Sequence, residues 1–376
     1  MPFRESVRNI SRLRLERRQS RQKVLATSSG KASLTALVGG KPQTLMIDVF
    51  RLTRELIDVP SVTGEEFQIG TSIGDLLVRL GYHVEAQDIA PERSNIIATT
   101  EVPPRIVLST HMDTVPPFIE SSEDDEFIYG RGACDAKGII AAQIAAAEKL
   151  RAEGVKDIGL LFTVDEEVAS TGAKVANDHP IAASCEYLIN GEPTDSQLAV
   201  GTKGSLHATI LTTGRAAHSA YPEAGESAIE KLLDVLDDVR KVNWPSDDIF
   251  GETTCNIGVI AGGQRANVIA DCAEATILLR LAVESNRVQA ILDQTIAGRA
   301  TIDYKSGHNP VKLSTVPGFD SMVARFATDI PYLSKWGKPL LIGPGSILVA
   351  HTGHERVSKS ELLKAVDLYV NLVKSL

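Results

Sequence analysis

Cysteine is scarce: the 376 residues hold only Cys134, Cys185, Cys255 and Cys272, and none forms a CxxC pair. Such usage excludes a disulfide-stapled miniprotein and fits a reducing compartment, read here as the cytoplasm. Long hydrophobic runs are missing too, since the longest apolar stretches, Ile139–Ala147 and Ile158–Val164, fall well short of the roughly 20 residues that span a bilayer. No membrane partner is expected. Net positive charge is lacking from most of the chain: of a net -9, residues 1–45 carry ten Lys/Arg against Glu5 and Glu16, leaving -17 for the remainder. An acidic body argues against a nucleic-acid partner, because phosphate contacts need clustered Lys/Arg. What is left, 43% hydrophobic and 23% charged with 5% aromatic residues, is an ordinary globular chain long enough for two or three structural units.

Residues 1–45 are rich in Arg, Ser and Gln and lack the apolar core of a secretory signal. They read as a disordered basic tail, as an untranslated stretch ahead of a true start at Met46, or as a transit or anion-binding arm. Helical periodicity begins at Met46, where Ile47, Phe50, Leu52, Leu56 and Ile57 recur at helix spacing until Pro60. The pattern then predicts a helix over Glu65–Leu80, strands at His83–Ala86, Asn95–Ala98 and Arg105–Thr110, a helix over Lys137–Glu153, and strands at Ile158–Val164 and Tyr187–Ile189. That order implies an α/β fold, a sheet with helices on its faces.

After Gly201 the reading changes to a smaller α+β unit, with strands at Ser205–Thr212, Asn256–Ile260 and Ala275–Val283 around one clear helix, Ser227–Val242. Beyond Tyr304 the α/β pattern returns, with an apolar run at Pro339–Ile342 and a C-terminal helix opened by the capping box Ser358-Lys359-Ser360-Glu361. The simplest topology is an insertion. Residues 46–199 and 306–376 form a catalytic domain, and residues 200–305 form a lid between them.

Five segments carry ligand-type side chains: His111-Met112-Asp113, Gly132-Ala133-Cys134-Asp135, Asp165-Glu166-Glu167, Gly191-Glu192-Pro193 and His351 to Glu355. Four of them follow a predicted strand or its loop, where active sites of α/β sheets gather. A pair of divalent ions needs a bridging carboxylate, further His or carboxylate ligands on each ion, and a separate base for the water between them. The list contains that set. Adjacent Glu166 and Glu167 suit different partners, and the spacing lets Asp113 accept the second ring N–H of His111. Each residue taken alone also suits a packed or solvated position, and Cys134 reads as a small packed residue.

Ser109-Thr110-His111-Met112-Asp113-Thr114-Val115-Pro116, Gly130-Arg131-Gly132-Ala133-Cys134-Asp135-Ala136-Lys137-Gly138, Thr163-Val164-Asp165-Glu166-Glu167 and Gly191-Glu192-Pro193-Thr194 resemble, in order, the signatures of a known family. It is the co-catalytic zinc exopeptidases and deacylases, which include acetylornithine deacetylase, succinyl-diaminopimelate desuccinylase, aminoacylase and glutamate carboxypeptidase of the carboxypeptidase G type. The resemblance runs from about Met46 to the end. It implies a zinc-exopeptidase-like catalytic domain, a mixed sheet flanked by helices, with an inserted α+β lid that mediates dimerisation. It also implies two Zn2+, for which Co2+ or Mn2+ can substitute. His111 and Glu192 would hold one zinc, Glu167 and His351 the other, and Asp135 would bridge them. Glu166 would be the general base and Asp113 the partner of His111, while His354 is the alternative to His351.

In the lid, Gly214-Arg215-Ala216-Ala217-His218-Ser219 and Gly262-Gly263-Gln264-Arg265-Ala266-Asn267-Val268-Ile269 match the family as well. The resemblance implies that His218 reaches the partner subunit's site to steady the oxyanion, and that Asn267 and Arg280 contact substrate, Arg280 as a carboxylate clamp. A surface ion pair is the other reading of Arg280. Gly343 and Gly345 are expected to offer backbone N–H groups to a substrate carboxylate, or to form a simple turn. Lys203-Gly204 reads as a hinge. The expected activity is hydrolysis of the amide bond of an N-acyl amino acid, closest to the acetylornithine-deacetylase-like members, with a small-molecule N-acyl amino acid or dipeptide as substrate and a homodimer as the assembly. Within the family a carboxypeptidase or dipeptidase, an N-acetyl-lysine deacetylase and a succinyl-diaminopimelate desuccinylase are the alternatives; outside it, an inactive dimeric binding protein.

Overall fold

A computed structural model describes residues 47–376, so the readings of the basic segment lie outside the described residues. Asp48 accepts the N–H groups of Phe50 and Arg51, both at 3.1 Å, and so caps the first helix, α1 (Val49–Ile57). Val49, Leu52, Leu56 and Ile57 form its buried stripe. There follow α2 (Phe67–Arg79), β1 (His83–Ala90), β2 (Arg93–Thr99), β3 (Ile106–His111), α3 (Lys137–Ala152), β4 (Ile158–Thr163) and β5 (Tyr187–Asn190). The next part contains β6 (Gly204–Thr213), α4 (Ala228–Lys241), β7 (Thr254–Gly262), β8 (Cys272–Leu281), α5 (Ser285–Ile296) and β9 (Thr301–His308). The chain closes with β10 (Lys338–Leu341) and α6 (Lys359–Ser375).

The first sheet is mixed, in the order β1-β2-β4-β3-β5-β10. β1 and β2 are antiparallel to their neighbours, and the rest run parallel. β3 and β4, central in the sheet and covered on both faces, are buried along their whole length. Alternate residues serve two cores. Ile106, Leu108, Leu160 and Phe162 pack under the long helices α1, α2, α3 and α6, whereas Val107, Leu161 and Leu188 face Trp336 and the short helix Thr171–Ala176. This is the α/β sheet flanked by helices that the sequence predicts.

The second sheet, in the order β7-β8-β6-β9, is antiparallel throughout. Leu206, Ala208 and Ile210 of β6 bury one of its faces against Leu232, Val235, Leu236 and Val239 of α4. Here the sequence reading needs a correction, because a second helix, α5, also covers that face. Its stripe Val288, Leu292 and Ile296 has helix spacing but sits in a segment rich in Ser, Asn and Gln. Leu198–Thr202 pairs with both Val311–Lys312 and Ser321–Ala324, so each passage of the chain between the two sheets is held in a small ribbon. Lys203, at the expected hinge, donates to the carbonyl of Glu252. At the predicted capping box of α6 the Ser358 hydroxyl pairs with Ser360 at 2.8 Å and makes no cap hydrogen bond to the helix. Among the described residues no helix is long and apolar enough to cross a membrane.

Candidate active site

Because β3, β4 and β5 are parallel, they release the chain at one end of the sheet, and the residues that follow them converge. His111 closes β3, with its Nε2 2.9 Å from Asp135 Oδ1. The other oxygen of Asp135 lies 3.3 Å from His351 Nε2, which is itself 3.0 Å from Glu167 Oε2. Asp135 therefore stands between two imidazoles, one on each carboxylate oxygen. One ligand atom from each of His111, Asp135 and Glu167 lies within 4.8 Å of the others. Glu192, just beyond β5, is buried beside them, and its Oε1 has no hydrogen-bond partner among the described residues.

Charge is crowded here. Burial and the charge of Glu192 push the Glu166 carboxyl well above its ordinary range, and burial raises Glu192 in the same way. Burial pulls the His111 ring down, but its contacts with Asp113 and Asp135 outweigh that and hold it well above the usual value. Contacts with Asp135 and Glu167 push His351 up to about 10. Protons on imidazoles are thus called in to balance carboxylates. Divalent cations would do so better: an orphaned carboxylate oxygen, a carboxylate split between two rings, and imidazoles able to lose their protons form a donor set that fits a pair of such ions.

Supporting contacts explain how the cluster is held. The expected carboxylate of Asp113 is not the nearest acceptor for His111 Nδ1; the backbone carbonyl of Asp113 takes that place at 2.9 Å, and Oδ1 stays 3.6 Å away. Instead the carboxylate accepts Thr63 Oγ1 at 2.8 Å and the N–H groups of Glu166 and Glu167 at 3.1 and 3.3 Å, which fixes the turn carrying both glutamates. From the other side Asp165 accepts Arg93 at 3.0 Å, and Arg93 also forks onto Glu66 at 2.6 and 2.7 Å. Glu355 ties the His351 segment to the Asp135 loop: it accepts Arg131 Nη1 at 2.5 Å and the N–H groups of Gly132 and Asp135 at 2.9 and 3.2 Å. Asp165 and His351 both adopt left-handed backbone conformations, with φ of 69° and 63°, of the kind that clusters at functional sites.

A cavity of about 420 Å³ opens over this cluster. Asp135, Glu166, Glu167, Glu192 and His351 line one side, and Ser205, Leu278, Arg280 and His308 of the second sheet line the other. Arg280 is thus in the cavity. Gly343 and Gly345 are not among its lining residues, and the Gly343 N–H is already donated to Thr194 Oγ1 at 3.0 Å. Their lack of a side chain serves packing, since a Cβ on Gly343 would sit 2.4 Å from the Glu192 carbonyl and one on Gly345 2.6 Å from Cys134. His354 is exposed, outside the cavity lining. His218 and Asn267 also lie outside that lining; they neighbour each other, with the N–H of Ser219 on the Asn267 carbonyl at 3.1 Å and the His218 backbone bridged to Val268.

Four residues escape a reading of spacing. Arg93 and Glu66 act through a contact between distant segments. Asp329 is buried behind β4, accepts Thr163 Oγ1 at 2.7 Å, and has its carboxyl pushed up to about 6 by burial. His308 was detectable only through the alternation of β9, which places it on the same face as Ser306.

Comparison with known proteins agrees with this geometry. The family model described as Peptidase family M20/M25/M40 matches residues 107–375. A probable carboxypeptidase of Aspergillus clavatus is 35% identical over 397 residues, covering 94% of each chain. A peptidase M20 domain-containing protein of Schizosaccharomyces pombe is 35% identical, covering 87% of this chain and 84% of its own. Among solved structures, aminopeptidase PepT of Bacillus cereus superposes with a TM-score of 0.71 at 22% identity, over 88% of this chain and 99% of that one. An M20 family metallo-carboxypeptidase of Sulfolobus solfataricus also gives 0.71, at 14% identity over 87% and 99%.

Proposed function

The chain belongs to peptidase family M20, a family of metal-dependent hydrolases of peptide and amide bonds, and on that premise we propose that it hydrolyses an amide whose nitrogen is attached to a carbon bearing a free carboxylate. The observation that carries this reading is Asp135, shared between His111 and His351 with Glu166 beside it. His111, Asp135 and Glu192 would hold one divalent ion, and Asp135, Glu167 and His351 the other, zinc fitting the mixture of imidazole and carboxylate. When bound, such ions polarise a carbonyl and make a water molecule more acidic. Glu166, whose carboxyl burial already pushes upward, takes the proton of the attacking water and returns it to the leaving nitrogen. Arg280, facing Glu166 across the cavity, receives the substrate carboxylate.

Peptides and N-acyl amino acids both present that amide, so the carboxypeptidase and deacetylase readings share one mechanism. The carboxypeptidase names of the relatives support the first, and the acetylornithine-deacetylase-like segments the second. We further read residues 200–305 as a lid that pairs with a second copy. Its edge strand β7 leaves Val259 and Ile260 58% and 56% exposed, and His218 is then carried toward the partner's cavity. The test is release of free amine from N-acetyl amino acids, N-succinyl amino acids and dipeptides. Wild type should cleave at least one class, and Glu166→Gln should lose about three orders of magnitude in kcat. Equal rates for the two proteins would refute the role given to Glu166.

A further inference from the structure

The cavity wall opposite the acid cluster is one row of the second sheet. The register pairs Ser205 of β6 with Arg280 of β8 on one side and with His308 of β9 on the other. Directly paired residues of antiparallel strands share a face, and all three line the cavity. With neighbouring strands about 4.8 Å apart, Arg280 and His308 stand roughly 10 Å apart across the row. Leu278, two residues before Arg280, joins the same face, and Phe326, Tyr332 and Ile347 continue an apolar side.

His308 is the member whose chemistry is open. Its Nδ1 lies 3.1 Å from the Asn309 carbonyl, so that nitrogen carries the proton of the neutral ring and Nε2 is left as an acceptor. Nε2 is buried without any hydrogen-bond partner among the described residues. Burial, with the charge of Arg280 added to it, keeps the ring neutral. Arg280 is equally uncommitted: burial pulls its pKa down, and the charge of Glu166 opposes this across the cavity. The charges on the lining fall into two groups. Its four carboxylates, Asp135, Glu166, Glu167 and Glu192, all belong to the cluster that two divalent ions would balance, and the other charged groups besides His351 are the cations Arg280 and Lys174. A cationic side chain entering this space would be desolvated with no counter-charge, which is costly.

We propose that the row Arg280–Ser205–His308 selects the residue that is released: Arg280 takes its carboxylate, His308 Nε2 accepts an N–H of the substrate, and an uncharged side chain lies along the apolar side. Substrates ending in an apolar or aromatic residue are then turned over, and those ending in lysine, arginine or ornithine are refused. The inference rests on the amide-hydrolase reading above and adds to it a specificity-determining residue, His308, and a rule of side-chain charge.

Two measurements test it together. One is kcat/KM of the metal-loaded full chain on N-acetyl amino acids and dipeptides ending in Phe, Leu, Lys or ornithine; the other is calorimetric binding of N-acetyl-Phe, N-acetyl-Leu and N-acetyl-Lys to Glu166→Gln. Phe and Leu should exceed Lys and ornithine by about a hundredfold in kcat/KM, and binding should follow the same order. His308→Ala should raise KM about tenfold with little change in kcat, and His308→Gln, which keeps an acceptor, should recover most of the loss. Cleavage of Lys or ornithine substrates as fast as Phe, or equal behaviour of His308→Ala and wild type, overturns the proposal. If wild type cleaves nothing while Glu166→Gln binds the ligands in the expected order, the selectivity stands and the amide-hydrolase reading falls.

Discussion

The two walls of the cavity are built on opposite plans. On the strand-end side, polar groups are tied back into the protein: Asp113 receives three donors, Glu355 receives a guanidinium and two backbone N–H groups, and Asp165 is clamped by Arg93. Across the cavity, among the described residues, Arg280 carries a half-buried charge without close compensation, and His308 Nε2 has no partner. Groups that hold ions and move protons must be preorganised, because reorganisation during reaction would cost part of the rate. Groups that read a substrate must stay open until it arrives. The difference separates chemistry from selection within a single cavity.

Breaking the tied side should have the largest effect. Glu355→Ala leaves Arg131, only 2% exposed, as a buried unpaired cation and frees the N–H of Asp135, which should destabilise the protein by roughly 3–5 kcal/mol. Thermal unfolding should show a Tm lower by several degrees, whereas His308→Ala on the open side should leave Tm within about one degree. Equal Tm losses would erase the contrast between the walls. An intermediate effect concerns His218. Mixing Glu166→Gln with His218→Ala, each nearly inactive alone, should restore about a quarter of wild-type turnover once subunits exchange, since half the dimers are mixed and each has one complete site. No recovery in an exchanging dimer would show that His218 does not serve its partner.

The smallest effect is a pH dependence. Asp329 has its carboxyl raised to about 6 from 3.8, so its contribution favours the folded protein below the lower value and is lost as pH rises through the higher one. In metal-free protein Asp329→Asn, which still accepts from Thr163, should unfold a few degrees higher than wild type at pH 8 and at the same temperature near pH 4. A constant difference across that range would remove Asp329 from the charge balance beneath the site.

What the sequence made legible was whatever local order encodes. Strand-end positions of His111, Glu166, Glu167 and Glu192 follow from apolar runs and the residues that end them, and the resemblance supplied Asp135 and His351 at matching motif positions. Local order also carried the alternation of both sheets. It failed where one backbone group replaces a side chain, as with the Asp113 carbonyl on His111, or where glycines serve packing against Glu192 and Cys134. It also failed for partners far apart in the chain, such as Glu355 with Arg131 or His308 with Ser205 and Arg280. Those pairings exist only once the sheets are assembled, and no spacing within one segment announces them.

The most direct test of the central claim is metal content per chain, measured by elemental analysis on wild type, Asp135→Asn and Glu166→Gln after equilibration with zinc. Two ions in wild type and in Glu166→Gln, with loss of both sites' tight binding in Asp135→Asn, is the predicted result. Unchanged zinc in Asp135→Asn would contradict a site in which that carboxylate is shared.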